Sequence, residues 1–184
     1  MKQRAGQGLQ IWADGSIHEG QWSRNQAIGT GRLIDADGNL YEGQWLSDQS
    51  HGTGFYQGID GATYNGEYEN GLENGVGTET WPDKSKYEGL YVDGEKEGKG
   101  KFSWADGSSY SGDFKDNDIC GFGRYIWASK NEYTGLWKAN KMHGEGTHVW
   151  ADGRKYVGSF VEDFKEGEGK LTWLDGRAYS GSWK

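Results

Sequence analysis

The sequence predicts an all-β protein, a single-layer, elongated, twisted antiparallel sheet of about eight consecutive β-hairpins. Glycine recurs along the chain with a period of 23 residues. Two short alternating runs flank a turn in every period. The composition is also unusual, since 184 residues include 33 glycines, 10 tryptophans, 11 tyrosines and one proline. Aliphatic residues are too scarce for an ordinary core, so the interior must be aromatic.

Three glycine columns define the repeat. The first column falls at positions 6, 29, 52, 75, 98, 121, 144 and 167, and the others lie two and fourteen residues later. One array, 1–184, is therefore predicted as the only domain. Its eight repeats are 6–28, 29–51, 52–74, 75–97, 98–120, 121–143, 144–166 and 167–184.

Each repeat is predicted to be a hairpin closed by a three-residue loop with a glycine bulge. In the first repeat the sequence Trp12-Ala13-Asp14-Gly15 supplies the loop. Gly8 then faces Gly20, and Gly6 faces Trp22. A second turn is predicted between hairpins, where residues that tolerate positive φ recur. These are Asn25, Asp48, Gly71, Gly94, Asn117, Asn140 and Asp163.

Side chains alternate along a strand, so the glycine columns and the rings share one face and polar residues occupy the other. All ten tryptophans fall in the columns of Trp12 and Trp22. The glycines are predicted to leave space in which the rings lie, which favours a concave aromatic groove. The predicted partner-binding groove consists of Tyr64, Tyr68, Tyr87, Tyr91, Phe102, Tyr110, Phe114, Tyr125, Tyr133, Trp137, Tyr156 and Phe160.

The repeat resembles the MORN repeat (membrane occupation and recognition nexus) over residues 6–183. The fifth repeat carries the motif as Gly98, Gly100, Asp106, Gly107, Tyr110, Gly112 and Phe114. Departures are local: Asp35 and Gly58 replace the first aromatic residue, and His18 replaces the first tyrosine. The resemblance implies a twisted antiparallel ribbon that acts as a scaffold. It also implies partner binding, dimerisation or phospholipid contact, as in cytoskeletal, ciliary, junctional-membrane and lipid-kinase relatives.

No enzyme, cofactor or metal site is predicted, because an active site needs titratable groups that converge. His51 and His143 fall in turns four repeats apart, whereas His18 and His148 occupy ring positions of the repeat. The glycine pairs recur in strands, so they are predicted to serve the fold and not a phosphate. The remaining alternative is that the array is the MORN region of a larger enzyme.

The net charge of −8 disfavours nucleic acid and anionic bilayers as default partners. The main prediction is therefore a cytoplasmic scaffold that binds a protein partner, as an amphipathic helix or an extended segment, in the aromatic groove. The cytoskeleton, cilium or membrane periphery is its expected place. Acidic residues at Glu67, Glu69, Glu73 and Glu88 predict basic residues beside the apolar face of that partner.

Two further interpretations stay open. Anionic phospholipid, including phosphoinositide, is predicted to contact Lys96, Lys99 and Lys101 if the array targets a membrane. The first and last strands are predicted to have bare edges, which would permit homo-oligomers.

Overall fold

A computed structural model describes residues 2–184, which form sixteen β-strands that follow one another in chain order. The predicted all-β fold of antiparallel hairpins in a single layer is confirmed. Among the described residues no helix is long and apolar enough to cross a membrane. The chain divides into a first unit, Met1–Glu95, and a second unit, Lys96–Lys184.

Each unit contains eight antiparallel strands. Those of the first unit are β1 (Gly6–Ile11), β2 (Ile17–Ser23), β3 (Gln26–Ile34), β4 (Leu40–Leu46), β5 (Gln49–Gln57), β6 (Thr63–Glu69), β7 (Leu72–Thr80) and β8 (Lys86–Val92). Those of the second are β9 (Glu95–Ser103, whose first residue belongs to the first unit), β10 (Ser109–Lys115), β11 (Asp118–Ile126), β12 (Glu132–Lys138), β13 (Lys141–Val149), β14 (Lys155–Val161), β15 (Phe164–Thr172) and β16 (Ala178–Trp183).

The hairpin register is the predicted one. Gly6 pairs with Trp22 and Gly8 with Gly20 across β1 and β2. Gly15 has a φ of 93°, as the loop requires. Lysine occupies this left-handed position in two loops, with φ of 72° at Lys84 and 69° at Lys130. Such a conformation costs a non-glycine residue about 1 kcal/mol, so the rest of the hairpin must impose it.

The turns between hairpins are two-residue turns in which both residues have positive φ. In one of them φ is 46° at Ala139 and 65° at Asn140. The Asn140 backbone N–H donates to the Ile119 carbonyl at 3.0 Å, and its Oδ1 accepts from the Ile119 N–H at 2.7 Å. The side chain therefore also links one turn to the preceding one, a role that the sequence pattern did not reveal.

The first glycine column has a different role from the one predicted. Its members adopt positive φ, for example 58° at Gly121 and 64° at Gly144. A register shift lies beside six of them, as between Gly112 and Asp113 of β10 opposite β11. The first column therefore forms β-bulges between hairpins. Only the second and third columns make room for rings.

Candidate functional site: the aromatic face

The aromatic face of the sheet contains an inner row of rings that covers the glycine pairs. Tyr110 is fully buried, and a Cβ placed on Gly123 would come within 2.2 Å of its hydroxyl oxygen. The Tyr110 hydroxyl donates to the Asp113 carbonyl at 3.0 Å. The two glycines explain the repeated Tyr-x-Gly motif, because any side chain there would displace the ring.

Rings of the inner row pack edge to face, an arrangement that the aromatic quadrupole favours. Tyr133 meets Trp137 with centroids 5.1 Å apart and planes at 89°, and meets Phe160 at 5.0 Å and 84°. Burial raises the pKa of Tyr133 to about 12. Its hydroxyl therefore stays protonated at neutral pH and donates to the Leu136 carbonyl at 3.0 Å.

Ten of the twelve predicted groove residues belong to this buried inner row. They are Tyr64, Tyr68, Tyr87, Tyr91, Tyr110, Phe114, Tyr133, Trp137, Tyr156 and Phe160. The other two, Phe102 and Tyr125, are only partly buried. The inner row is thus the core of each unit, and other rings must supply most of the accessible aromatic surface.

In the second unit a partly exposed row runs beside the inner row, and we name it the outer ladder. Its members are Phe102, Trp104, Tyr125, Trp127, His148 and Trp150. Successive ring centroids lie 4.5, 5.1, 4.7, 5.3 and 4.2 Å apart. The regular tryptophan column was the available signal for Trp104, Trp127 and Trp150, which the predicted groove left out.

Two cations lie at the far end of the outer ladder. The Nζ of Lys165 is 4.9 Å from the Trp150 centroid and 5.6 Å from that of Trp183. The guanidinium carbon of Arg154 is 5.2 Å from the Trp150 ring. Burial, with a further contribution from Arg154, holds the pKa of Lys165 below its usual range. This end of the ladder is therefore aromatic and positively charged.

The first unit lacks a continuous outer ladder. Leu33, Asp35, Gly58 and Glu79 interrupt the corresponding positions. A cavity of about 600 Å³ lies there instead. It is lined by Arg4, Trp12, Asp14, Ser16, His18, Trp22, Ala27, Leu33, Asp35, Ala36, Asp37, Trp45 and Asp48.

His18 replaces tyrosine in the inner row and lines this cavity. It is 2 % exposed, and its Nε2 has no hydrogen-bond partner among residues 2–184. The imidazole meets Trp22 and Trp45 edge to face, at 5.0 and 4.6 Å. Burial lowers the pKa of His18, because the charged form would lose its hydration.

The acidic residues predicted to flank the groove lie on both faces. Glu67 and Glu69 alternate with the buried Tyr64 and Tyr68, so they project from the opposite face. The Glu67 carboxylate accepts from the Val76 N–H at 3.0 Å. Glu73, by contrast, pairs with Tyr68 on the aromatic face. The sequence alone could not make this assignment, because the bulges change the alternation between hairpins.

The three lysines of the predicted lipid patch are not equivalent. Lys99 pairs with Asp113 and Lys101 with Ser111, which places both on the face opposite the rings. The Lys99 Nζ lies 2.6 Å from the Asp113 carboxylate. Lys96 instead occupies the repeat position at which Ala27, Ile119 and Met142 are buried. A single patch made by all three is therefore not apparent from their strand positions.

The face opposite the rings is less polar than the sequence pattern predicts. Phe122 and Leu136 pair directly across β11 and β12, and they are 56 % and 44 % exposed. Val76 and Leu90 form the same kind of pair across β7 and β8. Within residues 2–184 no group of three or more His, Cys, Asp or Glu side chains could hold a metal ion.

Comparisons with known proteins agree with this geometry. The family model described as the MORN repeat matches residues 1–17, 18–40, 41–63, 64–86, 87–109, 110–132, 133–153 and 156–176. The last seven matches start 23 residues apart and begin at the tyrosine position, in a different phase from the predicted repeat boundaries. No curated protein sequence matches the chain.

One solved structure with a low sequence identity to this chain shares its fold, and two others are similar at lower scores. A structure of the G-box domain of the microcephaly protein CPAP covers 97% of this chain and 100% of its own, with a TM-score of 0.54 and 12% identity. The Danio rerio CPAP TCP10 domain with a STIL peptide covers 99% and 98%, with a TM-score of 0.35 and 14% identity. The Drosophila melanogaster SAS-4 TCP domain with a proline-rich motif of Ana2 covers 100% and 96%, with a TM-score of 0.33 and 12% identity.

Proposed function

We propose, from the premise that this chain belongs to the MORN repeat family, that it is a non-catalytic scaffold whose aromatic face binds a protein partner. The outer ladder of the second unit is the observation that carries the proposal. Its rings are partly exposed and packed against one another in one row, and soluble proteins rarely leave a contiguous apolar surface uncovered. Aromatic side chains also dominate the energetics of protein interfaces.

The proposed contact residues are the accessible rings, above all Phe102, Trp104, Tyr125 and Trp127. The buried rings of the predicted groove form the floor beneath such a partner. Because these rings are already buried and packed on one another, we expect little free energy to be lost in ordering them on binding. An amphipathic helix or an extended segment is the proposed occupant. The proposed place of action is the cytoplasm, at the cytoskeleton, a cilium or the membrane periphery.

The test is recovery of partners from the native cell by affinity purification and mass spectrometry. The informative variant is Trp104→Ala with Trp127→Ala, because both rings are only partly buried. Tyr110→Ala with Tyr133→Ala would remove two fully buried rings and is expected to unfold the chain. The matched control is Phe122→Ala with Leu136→Ala on the opposite face. We expect the first pair of substitutions to abolish recovery and the control to preserve it; equal recovery from both would refute the proposal.

Binding of anionic phospholipid is a second candidate, favoured by the exposed lysines two residues apart at Lys99 and Lys101. Such binding would weaken steeply with salt. Liposomes containing phosphoinositide, at low salt, are the probe. Binding that disappears in Lys99→Ala with Lys101→Ala supports this candidate, whereas no binding to wild-type protein eliminates it.

Self-association through strand edges is a further proposal. Among residues 2–184, β1 pairs with β2 alone and β16 with β15 alone. An unpaired edge offers backbone donors and acceptors to another chain. Light scattering over a hundredfold concentration range should reveal growing assemblies, and a constant monomer mass would rule them out.

A further inference from the structure

One repeat position on the aromatic face carries a cation at three of its eight occurrences, Arg4, Lys96 and Lys165. It is occupied along the chain by Arg4, Ala27, Ser50, Glu73, Lys96, Ile119, Met142 and Lys165. The guanidinium carbon of Arg4 lies 4.2 Å from the centroid of Trp22, eighteen residues later. The Nζ of Lys165 lies 5.6 Å from the centroid of Trp183, again eighteen residues later. We name the cation slot the space over the ring that follows this repeat position by eighteen residues.

At the next occurrence along the chain, the cation slot holds only a methyl group. Ala27 occupies the position, and the ring eighteen residues later is Trp45. Both residues line the cavity of about 600 Å³ in the first unit, together with Trp12 and Leu33. The slot is therefore built from the same repeat positions as the pairs Arg4 with Trp22 and Lys165 with Trp183, with room in place of the cationic side chain.

The charge of the cavity favours a cation. Four carboxylates line it, from Asp14, Asp35, Asp37 and Asp48, and Arg4 is the single lysine or arginine among the lining side chains. Arg4 already donates to the Gln10 side chain at 3.1 Å and to the Asn25 carbonyl at 2.6 Å. Because one guanidinium balances only one of the four carboxylates, the cavity keeps an excess of negative charge.

We propose that this cavity binds an arginine side chain of the partner protein, with the guanidinium over the Trp45 ring and beside the aspartates. The inference rests on the proposed scaffold function and specifies the chemistry of its partner. Arginine suits the site because its planar guanidinium stacks on aromatic faces and its donors match carboxylates. Lysine lacks the planar face and should bind more weakly.

A short blocked peptide, acetyl-Gly-Arg-Gly-Arg-Gly-amide, serves as the probe against the full ¹⁵N-labelled chain. The indole N–H signals of Trp12 and Trp45 report on the cavity. We expect saturable shifts at both signals, and at least tenfold weaker binding of the peptide in which glutamine replaces arginine. The affinity for the corresponding lysine peptide should lie between those for the arginine and glutamine peptides.

Ala27→Arg is the matched variant, since it supplies the slot with the chain's own guanidinium, as at Arg4. This substitution should weaken binding of the arginine peptide at least tenfold. Thr30→Arg adds the same charge on the opposite face, where Thr30 pairs with Gln44, and should leave binding within twofold. Asp37→Asn, which alters an exposed side chain, should weaken binding two- to threefold even if Ala27→Arg proves unstable.

Three results would overturn this inference. They are the absence of saturable shifts in the wild-type chain, equal affinity for the glutamine peptide, and equal loss in Ala27→Arg and Thr30→Arg, which would indicate only general charge. Partner recovery with the Trp104 and Trp127 variants tests the scaffold function separately, because both residues belong to the second unit. Failure of one proposal is thus distinguishable from failure of the other.

Discussion

The two units use the same repeat for different surfaces. Both have a buried inner row and the same turns, but the outer ladder is continuous only in the second unit. The first unit has 6 Lys and Arg against 15 Asp and Glu, whereas the second has 14 against 13. The difference teaches that the inner row and the turns maintain the fold, while the outer positions are free to vary and so can carry recognition.

The largest expected effect concerns the inner row. Tyr133→Ala in the second unit removes a fully buried ring and its hydrogen bond, and should lower the free energy of unfolding by about 3–5 kcal/mol. His18→Ala at the corresponding position of the first unit removes a smaller ring with an unpaired Nε2, and should cost clearly less. Urea denaturation measures both. Equal losses would mean that the histidine supports its unit as well as tyrosine does.

Alanine substitution in the glycine pairs should likewise destabilise the second unit more than the first. A Cβ on Gly123 would lie 2.2 Å from the Tyr110 hydroxyl, whereas on Gly31 it would lie 2.9 Å from His18 Nε2. Gly123→Ala should therefore cost about 3 kcal/mol, and Gly31→Ala about half as much. The melting temperatures of the two variants give the comparison. A greater loss for Gly31→Ala would show that backbone contacts, and not the ring, determine the cost.

The pH dependence of the free energy of unfolding should reveal the contribution of His18. Burial lowers its pKa in the folded state, so below pH of about 6.5 the unfolded chain binds the proton better and stability falls. The loss for this group is at most about 1.4 kcal/mol per pH unit. His148 in the second unit also has a pKa lowered by burial, and Lys165 contributes.

Unfolding free energies at pH 7.5 and 5.5 should therefore differ less in His18→Tyr than in the wild-type chain. His148→Tyr provides the matched substitution in the second unit. If neither variant reduced the difference, the acid sensitivity would arise from other groups.

At pH 7.5 His18→Tyr should raise the free energy of unfolding by about 1 kcal/mol. The new hydroxyl can donate to the Gln21 carbonyl, as Tyr41 donates to the Gln44 carbonyl at 2.9 Å in the next repeat. His18→Phe supplies the ring without the hydroxyl and should raise the free energy of unfolding by less. Calorimetry measures the difference, and an equal gain would assign the effect to packing alone.

The smallest expected effect concerns the turns between hairpins. In the first unit Gly71 contributes only its backbone N–H, which donates to the Ser50 carbonyl at 3.0 Å. Gly71→Asn should add an acceptor for the Ser50 N–H and gain about 0.5 kcal/mol. Asn140→Gly in the second unit should lower the free energy of unfolding by a similar amount. Amide exchange at Ser50 and Ile119 would locate the changes, and unaltered protection at both would contradict the assigned role.

The hairpins, their register and the common face of glycines and rings were predictable from the sequence, because strands alternate and the repeat never changes length. Gly8 opposite Gly20 and the left-handed Lys84 illustrate this. The interaction of Asn140 with Ile119 was not predictable, because it joins turns whose proximity depends on how successive hairpins pack.

The sequence by itself determined the fold class, the repeat and the aromatic face, since each follows from local periodicity. Only the tertiary structure decided which rings are core and which are surface. Tyr133 and Phe102 share one face in the sequence pattern, but burial is complete for the first and partial for the second. The physical reason is that burial depends on neighbours 23 residues away and on bulges that shift the pairing, which no single repeat encodes.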